Sequence, residues 1–227
     1  MKNKGKFCLA GLFALLAAVL VVLVLFVDVA PIGPEGTTVG LSHLNGAVHA
    51  KTGLNLFWYD VTEALGVASI LVAGVFALVG LVQLIRRKSL RKVDREILAL
   101  GVLFVVVIAL YVLFEVVVVN CRPEILPGET HPEASFPSSH TMLVCATLGG
   151  AMLILRKYVK NPAVCRVLQL VCAAAIVVMV VGRLLSGVHW FTDILGGLLI
   201  SAALLLLFTE ILDRMKPKKK SRKRARR

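Results

Sequence analysis

Charge is scarce in this chain. Asp, Glu, Lys and Arg together make up 17% of its 227 residues. A soluble domain carries nearer ~25%, so the composition excludes a surface bathed in water on all sides. Cysteine is sparse too: of five, Cys8, Cys145 and Cys172 fall in apolar stretches, Cys165 in a basic segment, and Cys121 stands alone beside Arg122. That distribution excludes a disulfide framework. Internal repeats of the kind used by transporters are also missing.

Hydrocarbon-compatible sequence fills the space instead: 58% of residues are apolar and the mean hydropathy is +0.87. About 18 to 20 apolar residues cross ~30 Å of hydrocarbon, and several uncharged runs reach that length. Phe7 to Val27 is uncharged for 21 residues after Lys2, Lys4 and Lys6. This run is too long for the core of a signal peptide, although Asp28-Val29-Ala30 loosely resembles a cleavage site, so it is read as a first membrane helix. Further spans are expected over Ala64 to Ile85, Ile97 to Val119, Ser138 to Leu155, Val167 to Leu185 and His189 to Leu212. The fold class is therefore an all-α integral membrane protein with six transmembrane helices: a membrane domain over 1–213 and a basic tail over 214–227.

Basic residues set the orientation. The N-terminus, the 86–96 and 156–166 segments and the tail hold 23 of the 26 Lys and Arg, and six alternating helices put all four on one side. Cytoplasmic loops collect Lys and Arg, so both termini are expected in the cytoplasm, and the +13 net charge is positive-inside anchoring, with anionic lipid headgroups rather than nucleic acid as the tail's partner. Only Lys51, Arg122 and Arg183 remain for the outer side.

The outer face carries the chemistry. Its first loop, Pro31 to Trp58, ends in the interfacial aromatics Phe57-Trp58-Tyr59 and holds a short surface helix near Ser42 to Val48. Its second contains Asn120-Cys121-Arg122-Pro123 and then Pro137-Ser138-Ser139-His140. Glu129, His131 and Glu133 alternate there, but one imidazole and two carboxylates in a Pro/Gly-rich loop read as a solvated loop rather than a metal site. At the start of the fourth span Ser138 or Ser139 suits an N-cap, and the unpaired N–H groups of a first helical turn seat phosphate oxygens. Taken alone, that signal reads as a capping serine and a solvated histidine rather than a phosphate seat.

The third outer segment pairs Arg183 with His189 and Asp193. An Asp four residues after a His lies one helical turn away. Its carboxylate can fix the imidazole tautomer and free the other nitrogen for attack, or form a structural ion pair near the interface. Ionisable groups at membrane depth usually mark function. The only two outer arginines gather on the same side as His140 and His189, which favours a site.

These residues resemble the type 2 phosphatidic acid phosphatase superfamily, whose signatures are Lys-x6-Arg-Pro, Pro-Ser-Gly-His and Ser-Arg-x5-His-x3-Asp. The chain offers Arg122-Pro123, Pro137-Ser138-Ser139-His140 and Gly182-Arg183-x5-His189-x3-Asp193. The resemblance implies a membrane phosphatase in which His189 is the nucleophile, Asp193 orients it and His140 protonates the leaving oxygen. It further implies that Arg122, Arg183 and Ser138, with Ser139 beside it, hold phosphate, and that no metal or cofactor takes part. The chain departs from the signatures at three points. Ser139 replaces Gly, Gly182 replaces Ser, and Glu115 stands where a Lys is expected. Lys51 is therefore expected to stand in for the missing lysine, and Glu115 to pair with Arg122 or Arg183.

The expected activity is hydrolysis of a lipid phosphate or polyprenyl diphosphate through a phosphohistidine on the extracytoplasmic side of a bacterial-type cell membrane. One alternative is a lipid phosphotransferase, in which another alcohol takes the phosphoryl group. A transporter would instead spread charge through the membrane depth.

Overall fold

A computed structural model describes residues 4–126 and 128–216, so most of the basic tail lies outside the described residues. The chain folds into α1 (Lys4–Phe26), α2 (Ser42–Thr52), α3 (Leu56–Arg87), α4 (Arg95–Val116), α5 (Ser139–Tyr158), α6 (Pro162–Ser186) and α7 (Phe191–Met215). All except α2 are long and apolar enough to cross a membrane, six in total. Among the described residues the only β pairing is two isolated bridges, Ala30 with Val39 and Cys121 with Ala134. The all-helical, six-span expectation therefore holds, and the short helix expected near Ser42 runs on to Thr52.

Boundaries moved where polar residues extend a helix beyond hydrocarbon. Helix α3 begins at Leu56 rather than Ala64, because the Asn55 side chain caps it by accepting a hydrogen bond from the Trp58 N–H at 3.2 Å. Its 32 residues span ~48 Å at 1.5 Å per residue, more than a bilayer core needs. The surplus turns carry Tyr59, Asp60, Thr62 and Glu63 on a helix instead of in a loop. Helix α6 starts earlier than expected, at Pro162, where Asn161 accepts from the N–H groups of Ala163 and Val164. Helix α7 starts at Phe191, which leaves His189 in the α6–α7 connection rather than on the last span.

Helix α5 is the hub: it packs on α3, α4, α6 and α7. Over its most apolar stretch 56% is buried, against 11% for α6. Val105, Leu71 and Leu170 point outward from the bundle. Lipid is as apolar as these side chains, so close packing rather than water exclusion joins the helices. Small residues permit it. A Cβ at Gly196 would lie 2.7 Å from the Phe136 ring, and one at Gly197 would lie 3.0 Å from the Ser138 carbonyl oxygen. That approach presses the start of α5 against the start of α7, where the polar motifs sit.

The opposite end of the bundle is tied by charge. Asp94 accepts from Arg87 at 2.9 Å, from Tyr158 at 3.1 Å and from Gln83 at 3.1 Å, and Lys157 lies 3.3 Å away. Burial opposes ionisation of Asp94, but these donors outweigh it and bring its pKa down to about 2. Lys6 reaches Asp213 at 2.7 Å, joining α1 to α7.

Candidate active site

Three segments distant in sequence meet at the end opposite Asp94. Gly187, in the left-handed conformation at φ 68°, ends α6 and turns the chain toward His189. The next residues are locked from several sides. Asp193 Oδ2 accepts from the Trp190 N–H at 2.9 Å, closing a capping box at the start of α7. The Trp190 indole donates to the Cys121 carbonyl at 2.8 Å, and Asn120 Nδ2 lies 3.5 Å from Asp193 Oδ1. Helix α2 braces the same turn. Buried Asn45 donates to Thr192 Oγ1 at 3.0 Å and accepts from the Thr192 N–H at 3.2 Å, while His49 lies edge-on to Trp190.

His189 Nδ1 stands 3.6 Å from Asp193 Oδ2. Both residues are buried, and neither ring nitrogen of His189 has a hydrogen-bond partner. Burial, and then the positive charges of Arg122 and Arg183, hold the His189 pKa well below its ordinary value. The imidazole is therefore neutral at pH 7, the form that carries a nucleophilic lone pair.

The arginines converge from two directions. The second outer loop folds back on itself: Arg122 N–H donates to the Glu133 carbonyl at 2.8 Å and Ser135 N–H to the Asn120 carbonyl at 2.9 Å, on either side of the Cys121–Ala134 bridge. Arg122 Nε lies 3.0 Å from the Glu133 carboxylate. Arg183 is fully buried, donates to Glu63 at 2.6 Å and lies over the Tyr59 ring at 5.5 Å. Arg183 Nε and Nη1, Arg122 Nη1 and His140 Nδ1 are buried without a protein acceptor. Buried donors of this kind cost free energy unless an acceptor meets them. An anion with several oxygens meets that need.

At the start of α5, Ser138 is the N-cap. Its hydroxyl oxygen accepts from the Thr141 N–H at 3.4 Å and from the Thr141 hydroxyl at 3.0 Å, so only its own O–H proton is free to donate. Ser139 faces two adjoining spaces. One is a small recess in which Glu115, Ser135 and His189 stand among apolar neighbours such as Phe114 and Phe136. The other is a cavity of about 510 Å³ between α3, α4 and α5, walled by Ile70, Phe104, Val107 and Leu143 and ending at Tyr111, Ser139 and His140.

Two expectations are corrected. Glu115 pairs with neither arginine, because Glu133 and Glu63 already occupy them; it lines the recess beside His189 instead. Lys51 is exposed on α2 and makes no hydrogen bond or ion pair among the described residues, since that helix presents Asn45 and His49 to the site. In the Glu129-to-Glu133 loop, Glu133 pairs with Arg122, and His131 lies 3.5 Å from Glu35.

Sequence reasoning missed Glu63. Its carboxylate bridges Arg183 at 2.6 Å and His140 Nε2 at 3.2 Å. The available signal was an acidic residue one turn after Tyr59 at the head of an apolar run. The Ser-to-Gly departure at Gly182 also finds its cause here: a Cβ would lie 2.6 Å from Thr62 Cγ2 and 3.2 Å from the Trp58 ring, so α3 and α6 meet backbone to side chain.

No curated protein matches the chain. A family model described as the PAP2 superfamily matches residues 96–216, which include Arg122, His140, Arg183, His189 and Asp193. Among solved structures, a transmembrane PAP2-type phosphatidylglycerolphosphate phosphatase from Bacillus subtilis is similar in fold, with a TM-score of 0.66 and 16% identity over 92% of this chain and 98% of that one.

Proposed function

Because the chain belongs to the PAP2 superfamily, we propose that it is a membrane phosphatase that hydrolyses a lipid phosphate or polyprenyl diphosphate through a phosphohistidine. The observation that carries this reading is the set of buried donors without acceptors on Arg122, Arg183 and His140 around a neutral His189. A phosphoryl group supplies the oxygens these donors lack and the phosphorus His189 would attack.

In the proposed reaction, His189 Nε2 bonds to phosphorus as the phosphorus–oxygen bond to the lipid breaks. His140 gives its proton to the departing oxygen, so the lipid leaves as a neutral alcohol, or as a phosphate ester if the substrate is a diphosphate. Asp193 keeps Nδ1 of His189 turned toward itself and Nε2 toward phosphorus. Water then attacks the phosphohistidine while His140 takes back a proton, and inorganic phosphate departs. Arg122, Arg183, the Ser138 O–H and the first-turn N–H groups of α5 bind the spread charge.

The cavity of about 510 Å³ supports a lipid substrate, since it leads between helices from apolar walls to Ser139 and His140. Basic residues support an extracytoplasmic site: Lys6, Arg87, Lys157 and Lys216 lie at the end away from His189. The test is phosphate release by the detergent-purified protein from a panel of lipid mono- and diphosphates, with acid-labile phosphoprotein trapped in parallel. His189→Ala is expected to abolish both signals; undiminished release by that variant would refute the nucleophile assignment.

A further inference from the structure

Glu63 lies in none of the three motifs and outside the residues that the family model matches. Its position is nevertheless built. Tyr59, Glu63 and Gly66 occupy one face of α3 at helical spacing, and each touches the site. Tyr59 lies under Arg183, Glu63 bridges Arg183 and His140, and a Cβ at Gly66 would lie 2.8 Å from His140 Cδ2 and 3.1 Å from Nε2. The missing side chain at Gly66 is thus what lets the His140 ring come this close to α3. The close approach of Thr62 to Gly182 fixes the depth of α3 against Arg183.

The ring contacts sort the two nitrogens of His140. Its Cδ2–Nε2 edge faces α3 and Glu63, so Nδ1, buried and without a partner, is the nitrogen on the other edge. This mirrors His189, whose Nδ1 faces Asp193 and whose Nε2 is unpartnered. We propose that Glu63 is the positioning carboxylate of a second histidine–carboxylate dyad: it holds His140 with Nδ1 toward the leaving oxygen, and through its other oxygen couples that acid to the phosphate clamp at Arg183.

The chemistry requires such a group. A proton donor beside Arg183 and Arg122 carries its proton among two guanidinium charges, and a carboxylate hydrogen-bonded to the ring supplies the balancing negative charge. Glu63, Arg183 and Tyr59 face one another from α3 and α6, with His140 completing the set from α5. The proposal rests on the phosphatase reading above. It extends that reading to a helix without any family motif.

Leaving-group dependence tests it. A lipid alkoxide is a poor leaving group that needs a proton, whereas p-nitrophenolate departs without one. Full-length protein in detergent is assayed on dioleoyl phosphatidic acid and on p-nitrophenyl phosphate, comparing wild type, Glu63→Gln, Glu63→Asp, His140→Ala and the Glu63→Gln/His140→Ala double variant. Expected is a ~30- to 100-fold fall in kcat on phosphatidic acid for Glu63→Gln, with less than ~3-fold on p-nitrophenyl phosphate. Glu63→Asp should show the same split in weaker form, His140→Ala should match it, and the double variant should be no worse than the worse single one. Equal loss on both substrates would confine Glu63 to neutralising Arg183 and overturn the proposal, as would no loss on either. Monodisperse wild type silent on both substrates and on a polyprenyl diphosphate would bring down the phosphatase reading and this inference with it.

Discussion

Replacing Gly66 by Ala tests the assignment of His140 without altering any reacting group. The new methyl would sit 2.8 Å from His140 Cδ2, against the 3.4 Å at which ordinary van der Waals contact begins, so the ring must retreat by about 0.6 Å. Glu63 Oε2 lies 3.2 Å from His140 Nε2, leaving little slack on that edge. A misplacement of ~1 Å costs roughly 100-fold in rate. The expected fall in kcat on a lipid phosphate is therefore ~10- to 100-fold, a barrier increase of ~1.4 to 2.7 kcal/mol. Helix stability should not suffer, since Ala is a better helix former than Gly by ~0.8 to 1 kcal/mol. The assay is steady-state phosphate release alongside thermal unfolding in the same detergent. Unchanged kcat at unchanged stability would refute the claim that the position of the His140 ring controls the reaction.

Four further outcomes are expected. Asp193→Asn should lower kcat ~100- to 1000-fold while phosphate-analogue binding persists, because the amide keeps the shape of the turn and loses control of the tautomer; wild-type turnover would remove Asp193 from its orienting role. Stability should be complete above pH 6.5 and fall on acidification. Burial and the nearby arginines lower the folded pKa of His189 below its ordinary 6.5, so the unfolded chain binds the extra proton first. Unfolding midpoints measured from neutral to mildly acidic pH should show this slope, and His189→Asn should flatten it. Glu115→Lys places a cation in the recess beside His189 and should lower the KM for a lipid diphosphate ~3- to 10-fold more than for a monophosphate; equal effects would separate Glu115 from substrate choice. Lys51→Ala should leave kcat/KM within ~2-fold, since the side chain is exposed and makes no hydrogen bond or ion pair among the described residues; a larger loss would restore it as a phosphate ligand.

Much of this protein was legible in its sequence, and the reason is the solvent. Lipid requires every spanning segment to satisfy its own backbone hydrogen bonds, so uncharged runs such as Phe7 to Val27 read directly as helices. Because charge in hydrocarbon is costly, Arg183, His189 and Asp193 stood out as residues with a purpose. The order of Arg122, His140 and His189 pointed to phosphoryl chemistry before any geometry was known. Helix ends were less legible, because a cap such as Asn55 extends α3 over polar residues that hydropathy assigns to a loop.

Partnership was decided only by tertiary packing. Charge counting offered Arg122 and Arg183 to Glu115, whereas the fold gives them to Glu133 and Glu63, and it carries Lys51 on a face of α2 turned from the site. Glu63 lies 77 residues from His140 and 120 from Arg183 in sequence. Its local pattern, an acidic residue one turn after Tyr59 at the head of an apolar run, names no partner, and it reaches both because Gly66 and Gly182 lack side chains where α3 meets α5 and α6. Composition therefore determined the solvent, uncharged runs the spans, and motif order the kind of chemistry. Which carboxylate faces which cation depends on helix approaches too close to admit one added methyl group, and those exist only once the bundle has closed.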